Sequence, residues 1–481
     1  MTPIFCQGLI ILTLFFSLSG FAFWWMQAQR WRLAIGSLLV LAFALRLFAA
    51  ADNHLHPWDE RYHALVGKNL SSSFPTPILY QDPLLPYDYR QWSANHVWVH
   101  KQPVPIFLIG ASVGLLGAEP LWVRFPSMIM GSLCVWLTFL IGRRLFSARI
   151  GFYAAFFQAI NGLLIELAAG RIATDHIDTS FAFWVECGVL LALLPSREGR
   201  RPFWLDVLTA LAVGLAILSK WLPALVVGLV WAYVRWTEGW RWQIMGRGSL
   251  ILFVLILVVL PWQLWTYHQF PLEFAWEQAF NRRHIFEGLD GHGQPWWYFV
   301  ERIRINYGEL VYWPILAGTW LALQGVGKGE RHALLAIWFW VPFLFFSLVA
   351  TKMQGYLAFT APALFIWTAY VLDQVWQWGL INHWWRLIAI LFLLLPVRYS
   401  IERLKPFERE NPLWQQTLDQ FTAQDLKEPF VLCGEPQYIE AMFQYGGTVY
   451  PQIPPVEQLK KWREAGINVY IRRDNQYQQF E

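Results

Sequence analysis

Two adjacent carboxylates, Asp59 and Glu60, stand in the segment HPWDERYHALVGKNL (residues 56–70), with Arg61, Tyr62 and His63 behind them. The segment closely follows LAIGSLLVLAFALRLFAA (residues 33–50), an apolar run suited to lipid. Acids at the head of a weak helical pattern are favoured by the positive end of the helix, and that alone would account for them. A carboxylate at a membrane edge also has chemistry available: it can act as general base towards a hydroxyl, or bind a metal. The spacing leaves these readings open.

Other ionisable groups sit at comparable places. In HVWVHKQPVPIFL (96–108), Lys101 precedes a Pro-x-Pro turn that leads into an apolar stretch. It is either a snorkelling lysine or a cation at headgroup depth suited to a lipid phosphate. In AAGRIATDHIDTSFAFW (168–184), Arg171, Asp175, His176 and Asp178 fall on a very short loop and the start of the next apolar run, where ionisable residues are expensive and tend to mark function. Asp175 and Asp178 are spaced for one helix face, and Asp175 or Thr174 could equally be an N-cap. FNRRHIFEGLDGHGQPWWYF (280–299) offers Arg282, Arg283, His284 and His292, and FFSLVATKMQGYLAF (345–359) offers Lys352 and Tyr356. The histidines form no HxxxH pair, and one His with two Asp is a weak metal pattern, so metal use stays unassigned.

The elements that must hold these groups are membrane helices. Of 481 residues, 56% are hydrophobic and only 15% charged, with 31 Trp; a soluble domain is nearer a quarter charged, and Trp gathers at membrane interfaces. Mean hydropathy is +0.34. The net charge of +4 is small and not gathered into one run, which gives nucleic-acid binding no support. Cys6, Cys134, Cys187 and Cys433 show no paired spacing, which argues against a disulfide framework or thiolate metal site. Apolar length predicts about twelve spans, near 4–25, 33–51, 122–142, 150–169, 177–195, 203–219, 221–235, 249–267, 306–323, 333–350, 356–372 and 386–398. The first lacks a basic leader and reads as a retained helix rather than a cleaved signal. The shorter stretch 104–117 reads as interfacial or re-entrant.

One set of loops carries Arg30 and Arg32; Arg143, Arg144 and Arg149; Arg197, Arg200 and Arg201; Arg235, Arg241 and Arg247; Lys328 and Arg331; and Arg386. The alternate short loops hold little beyond Arg171, Lys220 and Lys352. An excess of Lys and Arg marks the cytoplasmic side, so the loops 52–121 and 268–305 and the tail are expected outside, with the acid pair. The chain divides into a membrane unit, 1–398, and a small extracytoplasmic α/β unit, 399–481. In the latter, PFVLCG, TVYPQI and INVYIRR read as strands and QYIEAMFQYGG and PPVEQLKKWREAG as helices.

The ordered set of motifs across roughly 33–365 resembles the GT-C superfamily, in the branch of protein O-mannosyltransferases and the lipid A aminoarabinose transferase. Asp59-Glu60 with Arg-Tyr resembles the acidic motif of the family's first outer loop. HKQPVPIF resembles its His-Lys-Pro-Pro-Leu segment, with Gln102 and Val104 departing; RFPSMIMGSL…GRRLF and GLAILSKWLPAL resemble later segments; RIATDH matches a second acidic site at Asp175, and FFSLVATKMQGYLAFTAP a late segment. The resemblance implies an all-α polytopic membrane fold and an inverting glycosyltransferase. Its donor would be a polyprenyl-phosphate sugar and its acceptor a lipid, glycan or protein. The site would face the periplasm or cell exterior, as expected of a bacterial inner-membrane protein. Asp59, Glu60 and Asp175 are then the catalytic candidates. Lys101, Arg61, Arg171 and Lys352 are candidates for the donor phosphate, and Tyr62, His284 and Tyr356 for substrate contact. No cofactor is required, although a divalent metal is compatible. The alternative is a transporter or flippase for a lipid-linked polar substrate, for which Arg46 and Glu186 would be the buried charges.

Overall fold

A computed structural model describes residues 3–194, 201–324, 330–404, 412–421, 426–473 and 476–480. Arg197, Arg200 and Lys328 of the charge pattern lie outside the described residues. The chain is an integral membrane protein built from helices, in order α1 (Pro3–Gln27), α2 (Trp31–Ala50), α3 (Asp59–Ser73), α4 (Pro103–Leu116), α5 (Pro120–Leu145), α6 (Ala148–Ile160), α7 (Gly162–Ala168), α8 (Asp175–Leu193), α9 (Phe203–Lys220), α10 (Val226–Thr237), α11 (Trp242–Gln269), α12 (Pro271–Phe286), α13 (Tyr298–Tyr307), α14 (Tyr312–Leu323), α15 (Glu330–Leu348), α16 (Ala361–Trp378) and α17 (His383–Leu404). Among the described residues eight helices are long and apolar enough to cross a membrane: α1, α2, α5, α8, α9, α11, α15, and α16 with its leading 3₁₀ turn. Leu222–Thr237 and Glu309–Leu323 are apolar but shorter.

The run at 150–169, expected as one span, is α6 and α7 meeting at a 55° bend. Asn161 breaks it with an extended backbone (φ −65°, ψ 120°) and caps α7 by accepting the Leu164 N–H. Its side-chain amide donates to the Asn306 carbonyl at 2.8 Å. Carbonyls freed at such a break need partners inside lipid. The fully buried Arg46 supplies them, donating to Ala159 at 3.3 Å and Gln158 at 3.5 Å. Glu186, also fully buried, accepts from Thr138 and Gln158. The two charges that a transport route would use are thus engaged with groups of the helix bundle itself.

After the bundle come α18 (Leu413–Phe421), β1 (Phe430–Cys433), α19 (Tyr438–Tyr445), β2 (Thr448–Tyr450), α20 (Val456–Glu464), β3 (Asn468–Arg473) and β4 (Gln476–Gln479). The sheet order is β2-β1-β3-β4, parallel except for the antiparallel β3–β4 pair. The three strands and two helices read from the tail are all present; β4 is additional, and α17 runs past 398 to Leu404. This unit does not stand apart. Leu65, Leu79 and Trp98 share one buried cluster with Val431, Met442 and Tyr470. The Tyr450 hydroxyl accepts the N–H groups of Leu84 and Leu85 at 2.8 and 2.9 Å. The segment between α2 and α5 and the tail therefore pack together as one body.

Candidate active site

Asp59 opens α3, after Trp58 at φ +79°. α3 lies tightly along α4: a Cβ on Gly67 would fall 2.6 Å from an Ile109 methyl, and one on Gly110 would fall 3.0 Å from the Gly67 carbonyl. α4 starts at Pro103, which fits the first helical turn because it has no N–H to leave unpaired, and Lys101 sits just ahead of it. The packing of α3 on α4 therefore brings the Lys101 ammonium to 3.9 Å from the Asp59 carboxylate. A third element completes the corner. The Thr174 N–H, at the head of α8, donates to Asp59 at 3.0 Å. Burial pushes the Asp59 pKa up, but Lys101, His63, the Thr174 amide and His100 together outweigh it and hold it down at about 2.

Glu60 points the other way. It is fully buried and doubly held by Arg124, with Nε to Oε1 at 2.7 Å and Nη2 to Oε2 at 3.0 Å. The His56 N–H also donates to it at 2.6 Å. Arg124 further donates to the carbonyls of Ala50, Asp52 and His54. Burial raises the Glu60 pKa, but Arg124 and His56 bring it well below the usual range. Glu60 thus fastens the α2–α3 connection to α5. Asp175 is likewise buried, with His63 at 2.9 Å.

Around Asp59 opens a cavity of about 600 Å³. Its polar lining includes Asp59, Arg61, Tyr62, His100, Lys101, Thr174, Lys220, Arg282, His284, Asp290 and Tyr356, and its apolar lining includes Leu222, Pro223, Ile285, Phe345, Phe346 and Val349. Burial lowers the His284 pKa, which favours the neutral ring. Six of the ten residues given a site role from the sequence line this space, Asp59, Arg61, Tyr62, Lys101, His284 and Tyr356, as do Arg282 and His292 from the same segments. Glu60 and Asp175 pack behind it. Arg171 turns away to Asp52 at 2.9 Å. Lys352 donates to the carbonyls of Gln294, at 2.9 Å, and Val349, and so braces the 288–294 loop.

Two groups outside that set belong to the arrangement. Lys220, at the end of α9, contacts Asp178 and lies 4.4 Å from the centre of the Tyr356 ring. The signal in the sequence was a lone cation closing an apolar run, in one of the loops poor in Lys and Arg. Arg124 had no such signal, being one arginine at the head of a span. Among the described residues no three His, Cys, Asp or Glu side chains converge as a metal site. The site therefore offers two carboxylates on one cavity, Asp59 and Asp290, with Lys101, Lys220 and Arg282 beside apolar side chains in the same lining.

A family model for dolichyl-phosphate-mannose-protein mannosyltransferase matches residues 100–265. The chain is 29% identical, over 411 residues, to an undecaprenyl phosphate-alpha-4-amino-4-deoxy-L-arabinose arabinosyl transferase of Pseudomonas paraeruginosa, an alignment covering 77% of this chain and 67% of the relative. Its fold is similar to that of ArnT from Cupriavidus metallidurans bound to undecaprenyl phosphate (TM-score 0.66, 17% identity, 91% of this chain and 92% of the other). It is also similar to the oligosaccharyltransferase AglB of Archaeoglobus fulgidus in complex with an inhibitory peptide and a dolichol-phosphate (TM-score 0.57, 13% identity, 91% and 69%).

Proposed function

We propose, for a chain that belongs to the GT-C superfamily of membrane glycosyltransferases in the branch of the protein mannosyltransferases and aminoarabinose transferases, that it moves a sugar from a polyprenyl-phosphate donor to an acceptor hydroxyl with inversion. The observation that carries this reading is the Asp59–Lys101 pair, 3.9 Å apart, on a cavity lined by both polar and apolar side chains. The apolar side chains suit a polyprenyl chain. Lys101, with Lys220 on the same cavity, suits the phosphate. Asp59 takes the proton of the acceptor hydroxyl as its oxygen attacks the anomeric carbon. The bond from that carbon to the phosphate oxygen breaks, and the polyprenyl phosphate departs with its charge held by the lysines.

A carboxylate with a pKa near 2 is a weak base, and the donor itself corrects this. Lys101 is a leading cause of the depression; once a phosphate shares that ammonium, Asp59 regains basicity. Neutral His284 adds no positive charge to the pocket. The acceptor is a lipid, glycan or protein, and the reaction runs on the outward face of the bacterial inner membrane. The undecaprenyl phosphate in the name of the arabinosyl transferase relative, and the undecaprenyl phosphate and dolichol-phosphate bound by the proteins of similar fold, support the donor class. The test is mass spectrometry of glycolipids and glycoproteins from cells with the active chain, with Asp59→Asn, and without the gene. One sugar-sized mass difference present only with the active chain is expected; identical profiles would overturn the reading. Labelling of single cysteines at Ser72 and Gln478 by an impermeant reagent added outside tests the orientation, and labelling only from the cytoplasmic side would overturn it.

A further inference from the structure

The α/β unit touches the cavity lining at Arg61, Tyr62 and Ser93, and at Arg61 the contact is an ion pair. Arg61 lies on the cavity wall, and its Nη1 donates to Glu440 Oε1 on α19 at 3.1 Å. The arginine side chain is 25% exposed and the glutamate 5%. Arg61 and Asp59 are two positions apart on α3 and so leave the helix in different directions. Asp59 meets Lys101, whereas Arg61 faces Glu440 and lies over the Tyr62 ring at 5.0 Å. Three further contacts hold α19 to the same loop. The Tyr438 hydroxyl donates to the Ser93 carbonyl at 2.8 Å and lies 3.4 Å from that of Tyr62, and Lys68 donates to the carbonyls of Met442 and Phe443 at 3.3 and 2.7 Å. Docking therefore has contacts to spare, and the ion pair is not needed merely to keep the unit in place.

We infer that Glu440 is a positioning residue for transfer: it holds the Arg61 guanidinium on the acceptor side of the cavity, so the α/β unit forms part of the site. The inference rests on the transferase reading and deepens it, moving Arg61 from donor phosphate to acceptor. Arg61 has a planar set of donors suited to the oxygens around an acceptor hydroxyl. Among the described residues Glu440 pairs with Arg61, whereas Lys101 pairs with Asp59 and Lys220 with Asp178.

Exchanging the pair separates docking from positioning. Arg61→Glu with Glu440→Arg keeps an ion pair but takes the cation off the cavity wall. Three measurements are made on full-length protein: resistance of the α/β unit to limited proteolysis, binding of undecaprenyl phosphate by thermal shift, and the mass-spectrometric product in cells lacking the native gene. Expected are wild-type proteolysis resistance, undecaprenyl phosphate affinity within about threefold, and product reduced at least tenfold. Restored product would overturn the inference, because the pair would then be a latch alone. Lost undecaprenyl phosphate binding would also overturn it, by returning Arg61 to the donor. Should the exchanged protein fail to insert, Glu440→Gln serves: it keeps the shape, is expected to lower product severalfold with proteolysis unchanged, and full product would overturn the inference. Wild-type cells with no product difference from the null strain would instead sink the transferase reading beneath it.

Discussion

The Thr174 backbone N–H donates to the Asp59 carboxylate at 3.0 Å, joining the head of α8 to the head of α3. Thr174 holds a left-handed conformation, φ +75°, and its hydroxyl donates to Asp178, which Lys220 also engages. A threonine in that region is strained by about 1–3 kcal/mol, which the surrounding contacts must offset. Gly355 makes room, since a Cβ there would lie 2.5 Å from Asp178 and 2.7 Å from the Thr174 hydroxyl. Asp59 directly, and Lys220 through Asp178, are thus both tied to Thr174.

The pH profile should carry the mark of Asp59. In the free protein its pKa is held near 2, so the carboxylate is ionised throughout the neutral and mildly acidic range. The acid limb of kcat/KM, which reports the free enzyme, should then owe nothing to Asp59 above about pH 4. On the proposed reading donor phosphate engages Lys101 and weakens its pull, so the acid limb of kcat should lie at higher pH than that of kcat/KM. Lys101→Met removes the same pull permanently and should raise the kcat/KM limb. Coincident limbs, unmoved by Lys101→Met, would argue against the coupling.

Glu60 should matter for stability rather than turnover. Its carboxylate is fully buried against Arg124, and breaking such a pair from one side costs roughly 3–5 kcal/mol. Glu60→Gln should lower the unfolding temperature in detergent markedly. Because the folded pKa lies well below 4.5, the stabilisation is full above the unfolded pKa and is lost as pH falls through the folded one. Wild type should therefore lose stability on acidification in a way that Glu60→Gln does not. Gly170→Ala should act similarly, since Gly170 sits at φ +74° and a Cβ would fall 2.1 Å from the Glu60 oxygen. Its unfolding temperature tests the packing without touching a charge.

What the sequence made legible follows from how local each signal was. The tail's β1, α19, β2, α20 and β3 are each bounded by Gly or Pro, and their boundaries were readable. β4, with the sequence QYQQ, has no apolar alternation; it exists because β3 offers an edge to pair with. The break at Asn161 was hidden because its partners, Arg46 and Asn306, are far away in sequence. Positive charge in the loops put Lys101, Arg171 and Lys352 on one face, but a face is not a cavity. Whether a lysine meets a carboxylate, as Lys101 does, or a carbonyl, as Lys352 does, depends on packing between distant segments.

That difference predicts a sorting of the lysines. Lys101→Ala should weaken undecaprenyl phosphate binding by about 2–4 kcal/mol if the phosphate is left without its buried partner. Lys352→Ala should leave affinity nearly unchanged, because its ammonium is spent on the carbonyls of Gln294 and Val349. Burial lowers the Lys352 pKa. Thermal-shift titration with undecaprenyl phosphate checks both. Equal losses would mean that the 288–294 loop shapes the phosphate site as strongly as Lys101 does.

Asp59→Asn carries the chemistry. Asparagine keeps the side-chain size and can still accept the Thr174 N–H at 3.0 Å, so the head of α3 should stay in place. It cannot take a proton. General-base assistance is worth about 10²–10⁴-fold, and turnover should fall by that order, while undecaprenyl phosphate binding persists or tightens, because Lys101 loses its carboxylate partner and is left wholly to the phosphate. The sign of that change matters: weaker binding would mean that the substitution had disturbed the site, and the rate loss would say nothing about a base. The acceptor also enters. A hydroxyl must shed a proton as it attacks, whereas an acceptor phosphate is already nucleophilic and would use Asp59 only for positioning. Single-turnover transfer measured for Asp59→Asn in correctly inserted protein decides it. A rate within about threefold of wild type would leave the Asp59–Lys101 pair as a structural contact and move the base elsewhere in the cavity.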